Sequence, residues 1–386
     1  MTPTADSGVI AVVNHLLAEA WRQRASDVHL EPRADRLRIR YRIDGMLAER
    51  SPVAPALAGG VLNRVKVLAN LDIAEKRLPQ DGAFRHPVDD AELTIRVSTF
   101  PTEFGEKIVV RLLGEKREVS ALHELGMPTA LADGLRRAVR RPHGIVLVTG
   151  PTGSGKTSTL YSLLRELERA EINIVTLEDP IEYRFDLVTQ GQTNNRAGFT
   201  FATGLRAILR QDPDVVMVGE MRDPETASIA LKAALTGHMV LSSLHTNSIS
   251  ETLVRLLDME QERFVVAAAL RAIVAQRLVR RLCVRCRRAV PVDAAARRAL
   301  NLPMPPPQLY EPRGCEHCAG TGYLGRSGIF EMVEIDDDFS AVIKGGAARA
   351  EYEAELERRG VQPLRMAGML VASQGVTSLA EVLRVT

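Results

Sequence analysis

One segment decides most of what this chain can be: Gly150-Pro151-Thr152-Gly153-Ser154-Gly155-Lys156-Thr157. It satisfies G-x-x-x-x-G-K-[ST] at every fixed position, after an apolar run at 145–149 and before a stretch, 156–169, that reads as a helix. A strand, a glycine-rich turn and a helix in that order form a phosphate-binding loop. The glycines let the backbone curl so that several N–H groups converge on phosphate oxygens, and the helix N-terminus adds partial positive charge. Lys156 is placed to reach the β- and γ-phosphates of ATP, the Thr157 hydroxyl to bind Mg²⁺, and Ser158 follows on the first turn. A glycine turn that merely enters a helix needs neither the lysine nor the threonine.

The surrounding pattern supports that reading. Buried strands are predicted at 172–177, 215–218 and 239–244, with helices at 128–140, 205–210, 224–235 and 251–257. Such alternation implies a mostly parallel sheet covered on both faces. The stretch 264–282 is predicted as one further helix, 324–335 as a returning strand, and the tail as helical. Before this core, 9–24 has a helical apolar period. Leu37, Ile39, Tyr41 and Ile43 alternate with Arg38, Arg40 and Arg42 before the turn signal Asp44-Gly45, which makes a half-buried strand and a hairpin. A helix is predicted at 62–71, strands at 93–97 and 107–113, and a hinge at 114–120, where charge replaces apolar pattern.

Hydrolysis needs acidic groups that orient water and hold metal. Glu178 follows the strand-like Ile174-Val175-Thr176-Leu177, and Glu220 follows Val215-Val216-Met217-Val218-Gly219. Strand ends of this kind form the ligand edge of an open α/β sheet. Gly219 stands where many phosphate-loop enzymes carry a metal-binding Asp, which leaves Glu220 free to polarise the attacking water. His238 and His245 bracket the next strand; His238 is the candidate γ-phosphate sensor, with a structural histidine the competing reading at either position.

Composition sets the broad class. Among 386 residues, 45% are hydrophobic and 25% charged, the net charge is +2, and no run approaches a membrane span. The first residues lack the basic start and apolar core of a signal peptide, so a reducing cytoplasm is expected. There the four cysteines read as metal ligands. Cys283-x-x-Cys286 and Cys315-x-x-Cys318 form two knuckles across a loop marked by Pro303 and Pro305-Pro306-Pro307, a spacing that suits one closed, structural Zn²⁺ site. A cationic cluster, Arg277, Arg280, Arg281, Arg285, Arg287 and Arg288, surrounds the first knuckle.

Four landmarks in order, at 150–157, 176–182, 212–223 and 237–247, resemble the Walker A, Asp box, Walker B and His box of the secretion ATPase superfamily. The phrases RQDPDVVMVGEMRDPETA, LTGHMVLSSLHTNS, ASDVHLEPRADRLRIRYRIDG and TSLAEVLRVT resemble the branch of type II secretion and type IV pilus assembly ATPases, over nearly the whole chain. The resemblance implies an α/β fold. A smaller α+β domain (1–116) precedes a RecA-like phosphate-loop core (117–281), a Cys₄ zinc insertion (282–323) and a strand with a helical tail (324–386). Within RVSTFPTEFGEKIVVRLL it assigns Arg96 and Arg111 to approach the nucleotide. The tetracysteine module argues against the pilus-retraction branch, which generally lacks it.

The implied activity is Mg²⁺-dependent ATP hydrolysis by a homohexamer that drives pseudopilus assembly, with pilus extension as the alternative. Implied partners are inner-membrane platform proteins, with anionic phospholipid contact at the arginine cluster and peripheral placement at the cytoplasmic side of the bacterial inner membrane. Longer relatives carry a further N-terminal docking domain, whereas this sequence starts at the second family domain. No nucleic-acid partner is expected: aromatics are 4% of residues and no basic-aromatic stacking surface is visible. A DNA-driven motor and a nucleotide-gated scaffold with little turnover remain the competing classes.

Overall fold

The computed structural model describes residues 5–89, 91–114, 119–300 and 306–386. The centre of the expected hinge (115–118) and Pro303 and Pro305 lie outside the described residues. Two units divide the chain, Met1–Glu118 and Val119–Thr386.

In the first unit, helix α1 (Ala5–Arg22) leads into β1 (Ala25–Pro32), β2 (Leu37–Ile43), β3 (Met46–Val53), helix α2 (Pro55–Leu68), β4 (Asp81–Val88), β5 (Ala91–Thr102) and β6 (Gly105–Gly114). The strands form one antiparallel sheet in the order β3-β2-β1-β6-β5-β4. Alternation places Val28, Leu30, Leu37, Ile39, Tyr41, Ile95 and Val110 on one face, in a core with Val13 and Leu17 of α1 and Val61 and Val65 of α2. Asp44 (φ +47°) and Gly45 (φ +85°) both take left-handed backbone, as the two-residue hairpin turn requires. A buried ion pair ties α2 to β6: Lys66 Nζ donates to both Glu106 oxygens at 2.9 and 2.8 Å and to the Glu75 carbonyl at 2.7 Å.

The opposite sheet face is charged. Its predicted basic strand meets an acidic neighbour: buried Glu31 accepts from Arg40 at 2.6 Å and pairs with Lys107 at 3.0 Å. Burial alone pushes the Glu31 carboxyl up, but these two cations outweigh it and hold the group at about 2.

The second unit comprises α3 (Thr129–Val139), β7 (Gly144–Thr149), α4 (Lys156–Leu167), β8 (Ile174–Glu178), β9 (Val188–Gln192), α5 (Phe201–Ile208), β10 (Val215–Val218), α6 (Pro224–Leu235), β11 (Met239–Leu244), α7 (Ile249–Asp258), α8 (Arg263–Ala269) and β12 (Leu270–Leu282). A small hairpin pair follows, β13 (Arg288–Pro291) and β14 (Gln308–Glu311), separated by α9 (Ala294–Leu300). The chain closes with β15 (Tyr323–Glu334) and helices α10 (Asp337–Gly345), α11 (Arg349–Arg358), α12 (Leu364–Ser373) and α13 (Leu379–Val385). The main sheet runs β15-β12-β7-β11-β10-β8-β9, with every pairing parallel except that of edge strand β15.

Both sheet faces are buried. Ile145 and Leu147 of β7 join the core under α6, α7 and α8, while Val146 and Val148 join the core under α3 and α4. That double burial explains one departure from expectation. The stretch 264–282 is not one helix: α8 ends at Ala269 and the chain becomes β12, inserted between β7 and β15. A strand covered on both sides shows a continuous apolar run, here Ala272-Ile273-Val274-Ala275, which periodicity alone cannot distinguish from a buried helix. Edge strand β9 carries no apolar strand pattern, because Thr189, Gln190 and Gln192 make it polar. No helix among the described residues is long and apolar enough to cross a membrane.

Candidate functional site

The phosphate-type loop leaves the C-terminal end of β7 and enters α4 (Lys156–Leu167). Gly150 (φ +155°), Gly153 (φ +79°) and Gly155 (φ +89°) occupy backbone that side-chain-bearing residues avoid, and Gly155 is the N-cap of α4. Their surroundings differ. A Cβ on Gly150 would lie 2.6 Å from the Gln276 carbonyl, whereas one on Gly153 would meet nothing within 4 Å. Pro151 and Thr152 complete the exposed rim, and Thr157 is half-buried beside exposed Ser158.

Two side chains show what the loop is built to hold. Lys156 Nζ folds over its own loop, donating to the Gly150 carbonyl at 2.8 Å and the Pro151 carbonyl at 3.2 Å. Burial pushes its ammonium down to about 8, with Glu220 opposing that shift and Arg277 adding to it. Ser154 Oγ is buried without a hydrogen-bond partner. A cation held in a low-dielectric pocket beside an orphaned donor fits an anionic group such as phosphate.

Glu220 stands at the same sheet edge, just after β10. The loop carrying it is pinned by Met221 N–H donating to the Ser243 carbonyl at 3.0 Å and Ser243 Oγ donating to the Gly219 carbonyl at 2.7 Å. One Glu220 oxygen accepts from Arg222, and the other lies 2.8 Å from His245 Nε2. Burial pushes the carboxyl up, but Arg222 and then His245 more than offset it, so the group is held below its usual range as an acceptor. His245 follows β11, and its neighbour Thr246 is tied through hydroxyls to Thr149, the last residue of β7, and to Thr252 at 2.7 Å.

His238 is not brought to this edge. It precedes β11, where Met239 pairs with Gly144 at the start of β7, and its Nδ1 lies 3.1 Å from the Ala233 carbonyl. In a parallel sheet that is the far end, roughly 15–20 Å of strand from the loop. His245 occupies the position at which a histidine can reach the site. Glu178 ends β8 but is buried and committed within the chain. It accepts from Thr176 Oγ1 at 2.7 Å, from Gln190 Nε2 at 3.0 Å and from the Tyr161 hydroxyl. That network orders the loop after β8, where Glu182 N–H donates to Tyr161 at 3.0 Å.

In the first unit, Arg96 and Arg111 are direct cross-strand partners on β5 and β6. Like charges placed opposite each other repel. One buried carboxylate, Asp27, accepts from Arg111 Nε at 2.9 Å and is also approached by Arg42 at 3.8 Å.

The tetracysteine cluster is compact. All four sulfurs lie within 4.8 Å of one another, with Sγ–Sγ separations of 3.9 Å (Cys283–Cys315), 3.8 Å (Cys286–Cys318) and 3.7 Å (Cys315–Cys318). A Zn–S bond of about 2.3 Å in a tetrahedron requires sulfurs about 3.8 Å apart, so the donor set fits Zn²⁺. Burial pushes the Cys318 thiol up, yet the amides of Cys315 and Gly322, donating at 3.2 and 3.1 Å, leave it lowered to about 7.

The surrounding arginines mostly have internal tasks. Arg280 pairs with Glu381 at 2.8 Å and stacks on Tyr323, Arg287 donates to the Gly375 carbonyl at 2.6 Å and stacks on Tyr310, Arg288 pairs with Glu311, and Arg277 donates to Asn247. Arg281, Arg285 and Arg288 remain exposed, Arg288 despite its surface pair with Glu311. Tyr161 and Gln276 are recognisable as site residues only by the tertiary partners they meet, whereas Arg222 lies two residues from its partner Glu220.

The chain is similar to known proteins over nearly its whole length. The family described as "Type II/IV secretion system protein" matches residues 3–384. Type II secretion system protein E of Klebsiella pneumoniae is 47% identical over 381 residues, which is 99% of this chain and 76% of that protein. Type II secretion system ATPase E of Vibrio cholerae is 46% identical over 382 residues, with the same coverage of 99% and 76%. The type IV pilus assembly ATPase PilB of Thermus thermophilus is 43% identical over 381 residues, 98% of this chain and 43% of its own length. Among solved structures, the Legionella pneumophila ATPase DotB superimposes with a TM-score of 0.71 at 23% identity, covering 97% of this chain and 95% of that one, a likeness of fold.

Proposed function

Since the chain belongs to the type II/IV secretion system protein family, we propose that it is the Mg²⁺-dependent ATPase motor that drives pseudopilus assembly in type II protein secretion. The observation that carries this is the shared sheet edge, where the loop holding Lys156 and the Glu220–His245 pair follow parallel strands of one sheet.

In this reading Lys156 releases its loop carbonyls to meet the β- and γ-phosphates of ATP, and the loop N–H groups of 150–157 hold the remaining oxygens. Thr157 would hold Mg²⁺, which would supply positive charge to offset the negative charge developing on the phosphates. Glu220, kept ionised by Arg222 and His245, accepts a hydrogen bond from the attacking water and aims it. His245, in place of His238, is the histidine able to respond to the γ-phosphate. Glu178 orders the loop after β8. As the family resemblance implies, Arg96 and Arg111 of this subunit or of a neighbouring one would supply positive charge to the phosphates. Cys283, Cys286, Cys315 and Cys318 would hold a structural Zn²⁺ with no coordination position left for chemistry.

The proposed assembly is a homohexamer working at the cytoplasmic face of the inner membrane with platform proteins. With Arg277, Arg280 and Arg287 occupied internally, lipid contact would rest on the exposed Arg281, Arg285 and Arg288. Pilus assembly is the second reading, favoured by the similarity to the Thermus pilus ATPase.

Glu220→Gln tests the site. Turnover should fall by about 100-fold or more while ATP binding is retained, because a carboxamide keeps the shape but loses the acceptor charge. Undiminished Mg²⁺-ATPase activity in this variant would remove Glu220 from the mechanism.

A further inference from the structure

We propose that Gln276 is a positioning residue for the phosphate loop, fixing the peptide between Ser154 and Gly155 so that the Gly155 N–H is presented to a nucleotide phosphate. The inference rests on the ATPase reading and deepens it.

Gln276 lies on β12, the strand beside β7, one position past the Ala275–Thr149 pair and therefore level with the start of the loop. It is 1% exposed. Its Nε2 donates to the Ser154 carbonyl at 2.8 Å, and its Oε1 accepts from the Thr159 hydroxyl at 2.8 Å. The orientation of the amide is dictated by its partners: a backbone carbonyl can only accept, so the nitrogen must face Ser154. Both ends of the side chain are thus spent on one element, bracing the loop against the first turns of α4.

The consequence follows from peptide geometry. In a planar trans peptide the C=O and the next N–H point in opposite directions. Holding the Ser154 carbonyl toward β12 turns the Gly155 N–H away from β12, to the inner side of the loop. Gly155 tolerates this because it has no Cβ; one placed there would lie 3.1 Å from Gln276 Nε2 at a left-handed φ of +89°. Without the clamp, the peptide is free to rotate and the donor must be reoriented each time phosphate binds, so the effect should be on nucleotide affinity.

The test is ADP binding by calorimetry to the full chain and to its Gln276→Leu and Gln276→Glu variants, with unfolding temperature recorded without nucleotide. Leu fills similar space but makes neither hydrogen bond, and an ADP affinity about ten-fold weaker is expected, from the loss of one to two buried hydrogen bonds. Glu opposes an ionised oxygen to the Ser154 carbonyl at pH 8 and should weaken binding at least as much. Burial raises the pKa of such a carboxyl. Between pH 8 and pH 6 it gains a proton, can donate to Ser154 again, and should recover ADP affinity relative to the parent chain. Unchanged ADP affinity in Gln276→Leu overturns the proposal. If that variant does not fold, the absence of pH-dependent recovery in Gln276→Glu overturns it instead. Failure of the parent chain itself to bind ADP would refute the ATPase reading, a result distinct from either.

Discussion

Lys156→Ala is expected to lower kcat/KM for ATP by at least about 100-fold, or about 2.7 kcal/mol of transition-state stabilisation. The lysine is the one cation on the loop, and its ammonium already sits in a partly desolvated place, down to about 8. A charge there is worth more than on the surface because less water competes for the phosphate. The same position gives the parent chain a pH signature. Below about 8 the lysine is charged before phosphate arrives; above it, binding must take up a proton. ADP affinity should therefore be level below pH 8 and fall as pH rises, by up to about ten-fold per unit. Folding stability responds with the opposite sign. The unfolded lysine holds its proton up to its ordinary range, so between about pH 8 and that range this group makes the fold more stable as pH rises. A variant lacking Lys156 should lose both dependences. Retained turnover in Lys156→Ala would mean that phosphates bind elsewhere.

The second large effect is expected at the cysteines. Cys318→Ser should reduce bound zinc from about one per chain to near zero, measured by elemental analysis, since a hydroxyl is a poor replacement for thiolate. Structural zinc contributes folding free energy of about 10 kcal/mol in small modules. Here the module is also docked on the body: Leu282 N–H donates to the Val376 carbonyl at 2.8 Å and Arg287 to the Gly375 carbonyl at 2.6 Å. Loss of metal should therefore loosen 283–318 first, seen as new protease cleavage within that stretch, and lower the Tm by about 10 °C. Full zinc occupancy in the variant would show that the four sulfurs do not act together.

The features legible from sequence were those whose chemistry is written within a few residues. The phosphate loop carries its glycines, lysine and threonine at fixed spacing, the two knuckles carry paired cysteines, and Asp44-Gly45 specifies its own backbone. Glu220 was legible because a short apolar strand ends immediately before it. The strand β12 was not, because double burial erases the alternation that identifies strands, and with it Gln276 disappeared into a predicted helix. His238 was misplaced for a different reason. In a parallel sheet the residue after a strand shares the edge of the loop after β7, and the residue before it cannot. That rule favours His245, and the residue pattern alone already contained it. Tyr161 finds its carboxylate through the fold, so no local pattern announced it, whereas Arg222 lies only two residues from Glu220 and that spacing is local.

An ATPase that works as an assembled motor should turn over ATP only as its subunits come together. The direct measurement is phosphate release per chain, with and without Mg²⁺, across a dilution series in which oligomeric state is followed by light scattering. Expected is a specific activity that rises as subunits assemble, disappears when Mg²⁺ is chelated, and is absent in Glu220→Gln at every concentration. Phosphate release that is absent in the assembled oligomer, or that survives both chelation and Glu220→Gln, would contradict it.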